Sequence, residues 1–152
     1  MPQISNRCLF TNIMTKTKAR KPKLAIATSI KSHPAKNKAR EDRIIYEIVV
    51  DAYSREERAL GWYYYLEGKL KFPFRAACIK ERATSPLRLG EKVEVLKMAP
   101  EEDCEGDMLV IIRWADRTLG VPLSQLKGIA VDKTTKQAVD DWNYWLNQGY
   151  VF

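Results

Sequence analysis

The alternation of apolar and polar side chains predicts a helix that begins just after Ser54. Ser54 and Glu57 have the spacing of a capping box, in which each side chain accepts a hydrogen bond from the backbone N–H of the other residue. The apolar residues that follow are related by helical spacing: Ala59, Trp62, Tyr63 and Leu66. We therefore predict a helix over residues 55–67, with Gly68 as its C-terminal cap and Leu70 beyond it.

Five short apolar segments, about ten residues apart, predict strands in the region that follows this helix. They cover residues 74–79, 91–98, 108–114, 119–123 and 129–131. The continuous apolar run in the third segment suits a strand that is buried on both faces. Pro122 places the fourth strand at a sheet edge or at its own end. Strands of this length and spacing predict a small SH3-like β-barrel of about five strands.

Helical patterns flank this strand-rich region on both sides. Thr134 and Gln137 have the spacing of a second capping box. The helix that begins there is predicted to end at Gly149. Three apolar residues would line that helix: Val139, Trp142 and Leu146. In residues 41–53 the apolar positions fall at helical spacing, but their β-branched side chains favour a strand, so both alternatives stand. The predicted fold class is α+β, with a helix, a small barrel and a C-terminal helix.

Charge divides the chain into two unlike regions. The 152 residues carry a net charge of +7, yet residues 1–40 contain ten of the 26 basic residues and none of the 19 acidic ones. Residues 41–152 therefore hold 16 basic and 19 acidic groups, a net charge of −3. We interpret residues 1–40 as a disordered basic tail, because they contain few large apolar side chains and show no sustained hydrophobic period.

Three interpretations of this tail stay open. Its lack of acidic residues and its serines and threonines are typical of a targeting segment. Its charge also suits a basic arm that binds nucleic acid, although the interleaved charges of residues 41–152 argue against a nucleic-acid groove on the domain itself. Alternatively, the start codon is assigned too far upstream, and Met14 is one internal alternative. The apolar run at 24–27 is too short for a secretory signal.

The sequence lacks the motifs of the common enzyme classes. The single histidine, His33, lies in the tail, which excludes imidazole catalysis by the domain. The three cysteines lack CxxC spacing and predict neither a zinc site nor a disulfide framework, which fits a reducing compartment. The longest apolar run, at 108–112, is too short to span a membrane. We expect a monomeric, cytoplasmic protein that is not an enzyme.

Five carboxylates are concentrated between the second and third predicted strands. They are Glu101, Glu102, Asp103, Glu105 and Asp107. Carboxylates this close repel one another, and a hard cation that takes about six to eight oxygen ligands relieves the repulsion. With Glu101 as position 1 of an EF-hand loop, the ligand positions 3, 5 and 7 are Asp103, Glu105 and Asp107, and Gly106 occupies the turn at position 6. Position 12, however, is Ile112, where the bidentate glutamate is required. The segment therefore predicts either a calcium site outside any EF-hand or a hairpin loop kept soluble by its charge.

A set of aromatic-rich motifs resembles the cyanobacterial calcium-binding protein family. The resemblance covers nearly all of residues 41–152 and none of the tail. The motifs are Val50-Asp51-Ala52-Tyr53, Glu56-Glu57-Arg58-Ala59, Gly61-Trp62-Tyr63-Tyr64-Tyr65-Leu66, Lys71-Phe72-Pro73-Phe74, Ser85-Pro86-Leu87, Val121-Pro122-Leu123-Ser124-Gln125-Leu126, Asp141-Trp142, Tyr144-Trp145 and Gly149-Tyr150. The resemblance implies Ca²⁺ held by carboxylates and backbone oxygens on a compact α/β fold, in a protein linked to calcium buffering.

A ligand that replaces the missing EF-hand glutamate must come from elsewhere in the chain. Further candidates are Asp51, Glu57, Asp116, Asp140 and Asp141. The resembled family is acidic, whereas this domain carries only −3, so we expect a weak or single site. The resulting hypothesis is a calcium buffer or sensor that binds Ca²⁺ through clustered carboxylates.

A second hypothesis is an SH3-like interaction module that binds no metal. Such a module would bind a peptide of an unidentified protein partner through exposed aromatic rings, and Tyr64, Tyr65 and Trp114 are the candidates. Trp62 and Tyr63 lie on the apolar face of the predicted helix and are expected in the core instead. Exposure of the three candidate rings therefore discriminates this hypothesis from calcium binding.

Overall fold

A computed structural model of the chain describes residues 34–152. Its helices and strands, in chain order, are α1 Lys38–Arg43, α2 Arg55–Lys69, β1 Phe74–Cys78, β2 Lys92–Met98, β3 Leu109–Trp114, β4 Arg117–Pro122, β5 Leu126–Ile129 and α3 Lys133–Asn147. A π-helical turn, Ile44–Ile48, continues α1, and two 3-10 helices cover Glu101–Cys104 and Leu123–Gln125. Within the described residues, no helix is both long and apolar enough to cross a membrane.

The segment before α2 is helical, so the helical alternative for residues 41–48 is confirmed and the strand alternative is wrong. The Asn37 side chain accepts a hydrogen bond from the Arg40 N–H over 3.1 Å and so begins α1 ahead of the predicted domain boundary at residue 41. Residues 34–40 of the predicted tail belong to this described part. The predicted disorder of the rest of the tail falls on residues 1–33, outside the described residues.

The predicted capping box of α2 is present. Ser54 Oγ accepts from the Glu57 N–H over 3.1 Å, and the Glu57 carboxylate accepts from the Ser54 N–H over 3.0 Å. The helix continues past the predicted cap at Gly68, because the Leu70 N–H still reaches the Leu66 carbonyl at 2.8 Å. The C-terminal cap is Leu70, so the predicted cap at Gly68 is wrong by two residues.

A glycine in α2 allows this helix to lie directly against the π-helical turn. A Cβ atom on Gly61 would collide with the carbonyl oxygen of Ile48. The two backbones can approach this closely only because glycine has no side chain. This contact fixes the middle of α2 against the segment that precedes it.

The five strands form an antiparallel sheet in the order β4-β3-β2-β1-β5. The predicted SH3-like barrel is wrong, because the edge strands β4 and β5 of the described chain do not pair with each other and the sheet stays open. The 3-10 helix Leu123–Gln125 turns the chain after β4 and leads into β5, which pairs with β1 at the opposite edge of the sheet. The fifth strand also starts earlier than residues 129–131, because Leu126 pairs with Cys78.

The C-terminal helix α3 packs against α2 through three buried tryptophans. Trp62 of α2 lies 5.0 Å from Trp142 and 5.6 Å from Trp145 between ring centroids. The predicted capping box at Thr134 is wrong: Asp132 caps α3 by accepting a hydrogen bond from the Thr134 N–H over 3.2 Å. Gly149 has a left-handed φ of 79° just past the helix, as predicted for the residue that ends it.

Candidate metal centre

A buried thiol anchors the acidic segment between β2 and β3. Cys104 ends the 3-10 helix Glu101–Cys104 and is only 2% exposed. The Leu109 N–H donates a hydrogen bond to Cys104 Sγ over 3.4 Å. Burial raises the pKa of the Cys104 thiol, so the thiol packs as an uncharged group and not as a reactive thiolate. The carboxylates around it face solvent: Glu101, Glu102, Asp103 and Glu105.

A groove of about 510 Å³ lies between this segment and the first half of α2. We call it the acidic groove. Its lining residues are Arg55, Glu56, Ala59, Leu60 and Tyr63 from α2, and Glu101, Glu102, Cys104, Glu105 and Gly106 from the acidic segment. Four carboxylates and one guanidinium therefore surround a floor of buried apolar side chains.

Two neighbouring tyrosines of α2 connect the helix to the other wall of the groove. The Tyr63 hydroxyl donates to the Ala99 carbonyl over 3.0 Å, at the base of the acidic segment. The Tyr64 hydroxyl donates to Glu101 Oε2 over 2.7 Å. This hydrogen bond to a carboxylate raises the pKa of Tyr64, since ionisation of the phenol would place two negative charges in contact. Glu101 is therefore held by a neutral donor that a cation can displace.

The last carboxylate of the acidic segment faces a different environment. Asp107 forms an ion pair with Arg82, with Oδ2 and Nη1 3.0 Å apart, and Arg82 also donates to Ser124 Oγ over 2.8 Å. Asp107 lines a second cavity of about 360 Å³ together with Trp142 and Phe152. Burial raises the pKa of Asp107 and outweighs the opposing effect of Arg82. The charge of Asp107 is therefore already paired with the guanidinium of Arg82, unlike the charges of the glutamates in the acidic groove.

One carboxylate of the groove escaped the sequence reasoning. Glu56 follows the cap of α2 and is not among the candidate ligands that the sequence suggests, but it lines the groove opposite the acidic segment. No local pattern predicts this position, because it depends on how α2 packs against a segment about 45 residues later. Within residues 34–152, no three acidic, cysteine or histidine side chains are close enough together to hold a metal ion as they stand.

Comparison with known proteins identifies the family. The CcbP family model, described as calcium binding, matches residues 42–146. The chain belongs to the CcbP family. No curated protein matches it.

Two solved structures are similar to this chain over almost their entire length. One is the crystal structure of Anabaena CcbP, with 43% identity, a TM-score of 0.70, and coverage of 78% of this chain and 97% of that one. The other is a calcium-binding protein in its calcium-binding form, with 42% identity, a TM-score of 0.70, and coverage of 77% and 96%. The resemblance seen in the sequence motifs is thus confirmed at the level of the family.

Among the further candidate ligands of this CcbP-family chain, Asp141 is engaged in a buried ion-pair cluster. Its side chain is completely buried. Both of its oxygens accept hydrogen bonds from Arg43 over 2.8 Å, one lies 3.2 Å from Arg40 Nε, and the other accepts from the Tyr65 hydroxyl over 2.9 Å. The ion pair raises the pKa of Arg43 further, so its charge is fixed. We call these four residues the Asp141 cluster, which fastens α1 to α3.

The remaining candidate ligands lie apart from one another. Glu57 is occupied by the capping box, and hydrogen bonds from the Ser54 and Tyr53 amides lower its pKa. Asp140 pairs with Lys136 over 2.6 Å on the surface of α3. Asp51 and Asp116 are exposed in turns and have left-handed φ angles of 52° and 64°. The structure thus gives Glu57 and Asp140 partners other than a metal.

The aromatic rings of the interaction-module hypothesis differ in exposure. Tyr64 is 57% exposed, whereas Tyr65 is half-buried and bonded to Asp141. Trp114 is half-buried too, and its indole N–H donates to Glu91 over 3.0 Å. With the barrel prediction wrong and two of its three rings half-buried, this hypothesis loses its structural support.

Proposed function

We propose that this protein binds Ca²⁺ outside any EF-hand, through carboxylates that line the acidic groove. The observation that supports this most directly is the groove itself, which is lined by four glutamates in a chain of a calcium-binding family. A similar protein has been solved in a calcium-binding form. We propose a binding role and no catalysis, and a cytoplasmic location stays a prediction.

The donors of the groove suit a hard cation. Glu56, Glu101, Glu102 and Glu105 offer only oxygen atoms, which is the ligand type that Ca²⁺ takes. They are exposed, so they are hydrated before binding and need not be extracted from an ion pair. Ca²⁺ supplies the positive charge that these four carboxylates lack. Asp103 lies on the 3-10 helix Glu101–Cys104 and is a further oxygen donor. Asp107 could bind the ion only after its ion pair with Arg82 is broken.

Binding requires local movement. Because no three donors of the described chain converge in the present arrangement, the acidic segment must approach α2 for the glutamates to share one ion. Met98 and Leu109 on either side belong to sheet strands, so the movement is confined to the residues between them. A buffer needs no larger change, whereas a sensor must transmit this movement to a partner.

Calorimetric titration of the full, chelator-stripped chain with Ca²⁺ tests the proposal. We expect saturable heat and a higher unfolding temperature with calcium. Absence of both at millimolar calcium would overturn the proposed function. Magnesium is the comparison ion, because it requires a tighter octahedral arrangement and loses its waters reluctantly.

Two matched sets of variants locate the ion. Glu101→Gln, Glu102→Gln and Glu105→Gln together should abolish measurable calcium heat. Asp103→Asn and Asp107→Asn together should weaken it much less. The reverse ranking would place the ion on the side of the segment that faces Arg82 and would contradict the groove as the site.

A further inference from the structure

The acidic groove is larger than a single calcium ion requires. Its volume of about 510 Å³ falls within the roughly 300–1,000 Å³ typical of cavities that hold organic ligands. Calcium–oxygen distances of about 2.3–2.6 Å would engage only the carboxylates at its rim. The rest of the groove would therefore remain unoccupied by the ion and its ligands.

The lining of the acidic groove is amphipathic. The floor is formed by Ala59 and Tyr63, which are both less than 10% exposed, and by the partly exposed side chain of Leu60. Four glutamates and Arg55 form the rim, so the lining carries a net charge of −3. A lysine or arginine side chain combines an aliphatic stem with a cationic head, and this combination matches an apolar floor beneath an acidic rim.

Exposed apolar side chains extend the floor outward along α2. Leu60 lines the groove and is 38% exposed. Tyr64, one turn later on α2, is 57% exposed, and its hydroxyl donates a hydrogen bond to Glu101 on the rim. A tyrosine face also attracts a cationic head group. Basic and apolar residues in one short segment would therefore contact both the floor and the rim.

We infer that the acidic groove binds a basic, amphipathic segment of a partner protein, and that Ca²⁺ displaces this segment. The inference rests on the proposed function, because both occupants use Glu56, Glu101, Glu102 and Glu105. Since binding of either removes the free carboxylates that the other needs, each weakens the other by the same factor. The protein would release its partner when calcium rises.

Fluorescence anisotropy with a defined peptide tests this inference on the full chain at about 0.15 M ionic strength. The probe is a short fluorescein-labelled peptide of lysine, leucine and serine. One control peptide carries glutamine in place of lysine, and the other carries serine in place of leucine. We expect the probe to bind in chelator, both controls to bind more weakly, and saturating calcium to reduce probe affinity about ten-fold.

Matched protein variants separate the groove from the general charge of the protein. Glu102→Gln should weaken the probe, whereas Glu94→Gln makes the same change of charge on β2, beside Arg113, and should not. Leu60→Ser should weaken the probe about five-fold and leave calcium heat unchanged, because serine provides no apolar contact.

Any of the following peptide results would overturn the inference: no binding of the lysine peptide, equal binding of the glutamine peptide, or probe affinity that calcium leaves unchanged. An equal effect of Glu94→Gln and Glu102→Gln would do so as well. Loss of the proposed function is measured separately, as the absence of calcium heat in calorimetry without peptide. Calcium heat together with a failed peptide experiment leaves the calcium site standing and removes only the partner.

Discussion

The Asp141 cluster and the acidic groove use carboxylates in opposite ways. Asp141 is fully buried and receives hydrogen bonds from Arg43 and Tyr65 within 2.9 Å. The glutamates of the groove are exposed, and one of them, Glu101, accepts a hydrogen bond from the neutral hydroxyl of Tyr64. A carboxylate whose charge is already balanced by arginine contributes to the fold, whereas one balanced by water remains available to a cation.

The difference shows that availability, and not the number of acidic residues, decides where an ion can bind. Asp140 and Asp141 are adjacent in the sequence, yet Asp140 lies on the surface with Lys136 and Asp141 lies in the core. A change in the Asp141 cluster should therefore alter stability, and a change in the acidic groove should alter calcium binding.

Asp141→Asn should cause the largest loss of stability. It leaves Arg40 and Arg43 beside a neutral amide, and breaking a buried ion pair from one side costs about 3–5 kcal/mol. Urea unfolding of the variant measures this loss. Asp140→Asn is the matched control, because its exposed pair with Lys136 is worth less than about 1 kcal/mol. Equal losses in the two variants would remove the distinction between the cluster and an ordinary surface pair.

The groove variant Glu101→Gln, Glu102→Gln and Glu105→Gln should lose the stabilisation by calcium but not the fold. For the unaltered chain, calcium at 100 times its dissociation constant adds about 2.7 kcal/mol to the free energy of unfolding. The triple variant should gain none. Without calcium it should be at least as stable as the unaltered chain, because the substitutions remove repulsion between carboxylates.

Asp116→Asn is the control for this experiment. Asn tolerates the left-handed conformation of this turn, so the change removes one exposed carboxylate without straining the backbone. It should keep the full gain from calcium. A smaller gain would mean that distant charge, and not the groove, determines affinity.

Tyr65→Phe should cost about 1 kcal/mol at neutral pH, since it removes one hydrogen bond to Asp141. Burial, and then the hydrogen bond to Asp141, raises the pKa of Tyr65 above its ordinary value of 10.0. Above pH 10 the unfolded chain therefore loses this proton before the folded chain does, and stability falls as the pH rises. Denaturation curves from pH 8 to 11 should show a shallower fall for Tyr65→Phe, and parallel curves would contradict this assignment.

Tyr64→Phe should have the smallest effect, and it should appear in calcium affinity. The hydroxyl holds Glu101 in its calcium-free position, so its removal frees the carboxylate and should raise affinity about two-fold. Calorimetry measures this change. Tyr46→Phe is a suitable control, because Tyr46 is 71% exposed on the π-helical turn. Weaker binding by Tyr64→Phe would show that the tyrosine orients Glu101 toward the ion.

Local features of the fold could be predicted from the sequence, and features that depend on distant contacts could not. The capping box of α2 involves residues three apart, and the pattern of its apolar face is local too. Closure of the barrel was predicted wrongly, because it depends on pairing between the two edge strands, here β4 and β5, and not on strand spacing. Local spacing also misplaced the start of α3, where Asp132 and not Thr134 is the cap.

The candidate site follows the same division. The five carboxylates of the acidic segment are visible in the sequence because they fall within residues 101–107, and their role as ligands stays a prediction. The opposing wall, with Glu56, arises from tertiary packing, as does the ion pair that occupies Asp107. The sequence therefore identifies half of the groove, and packing determines which carboxylates share it.

The close approach of Gly61 to Ile48 has a consequence for the speed of calcium exchange. Because the backbone of α2 rests on that carbonyl, the helical wall of the groove cannot shift without displacing the π-helical turn. Only the short acidic segment is left to open and close, and loop motions of this size take nanoseconds to microseconds. Entry and exit of the ion should therefore be limited by the motion of this segment and not by rearrangement of helices.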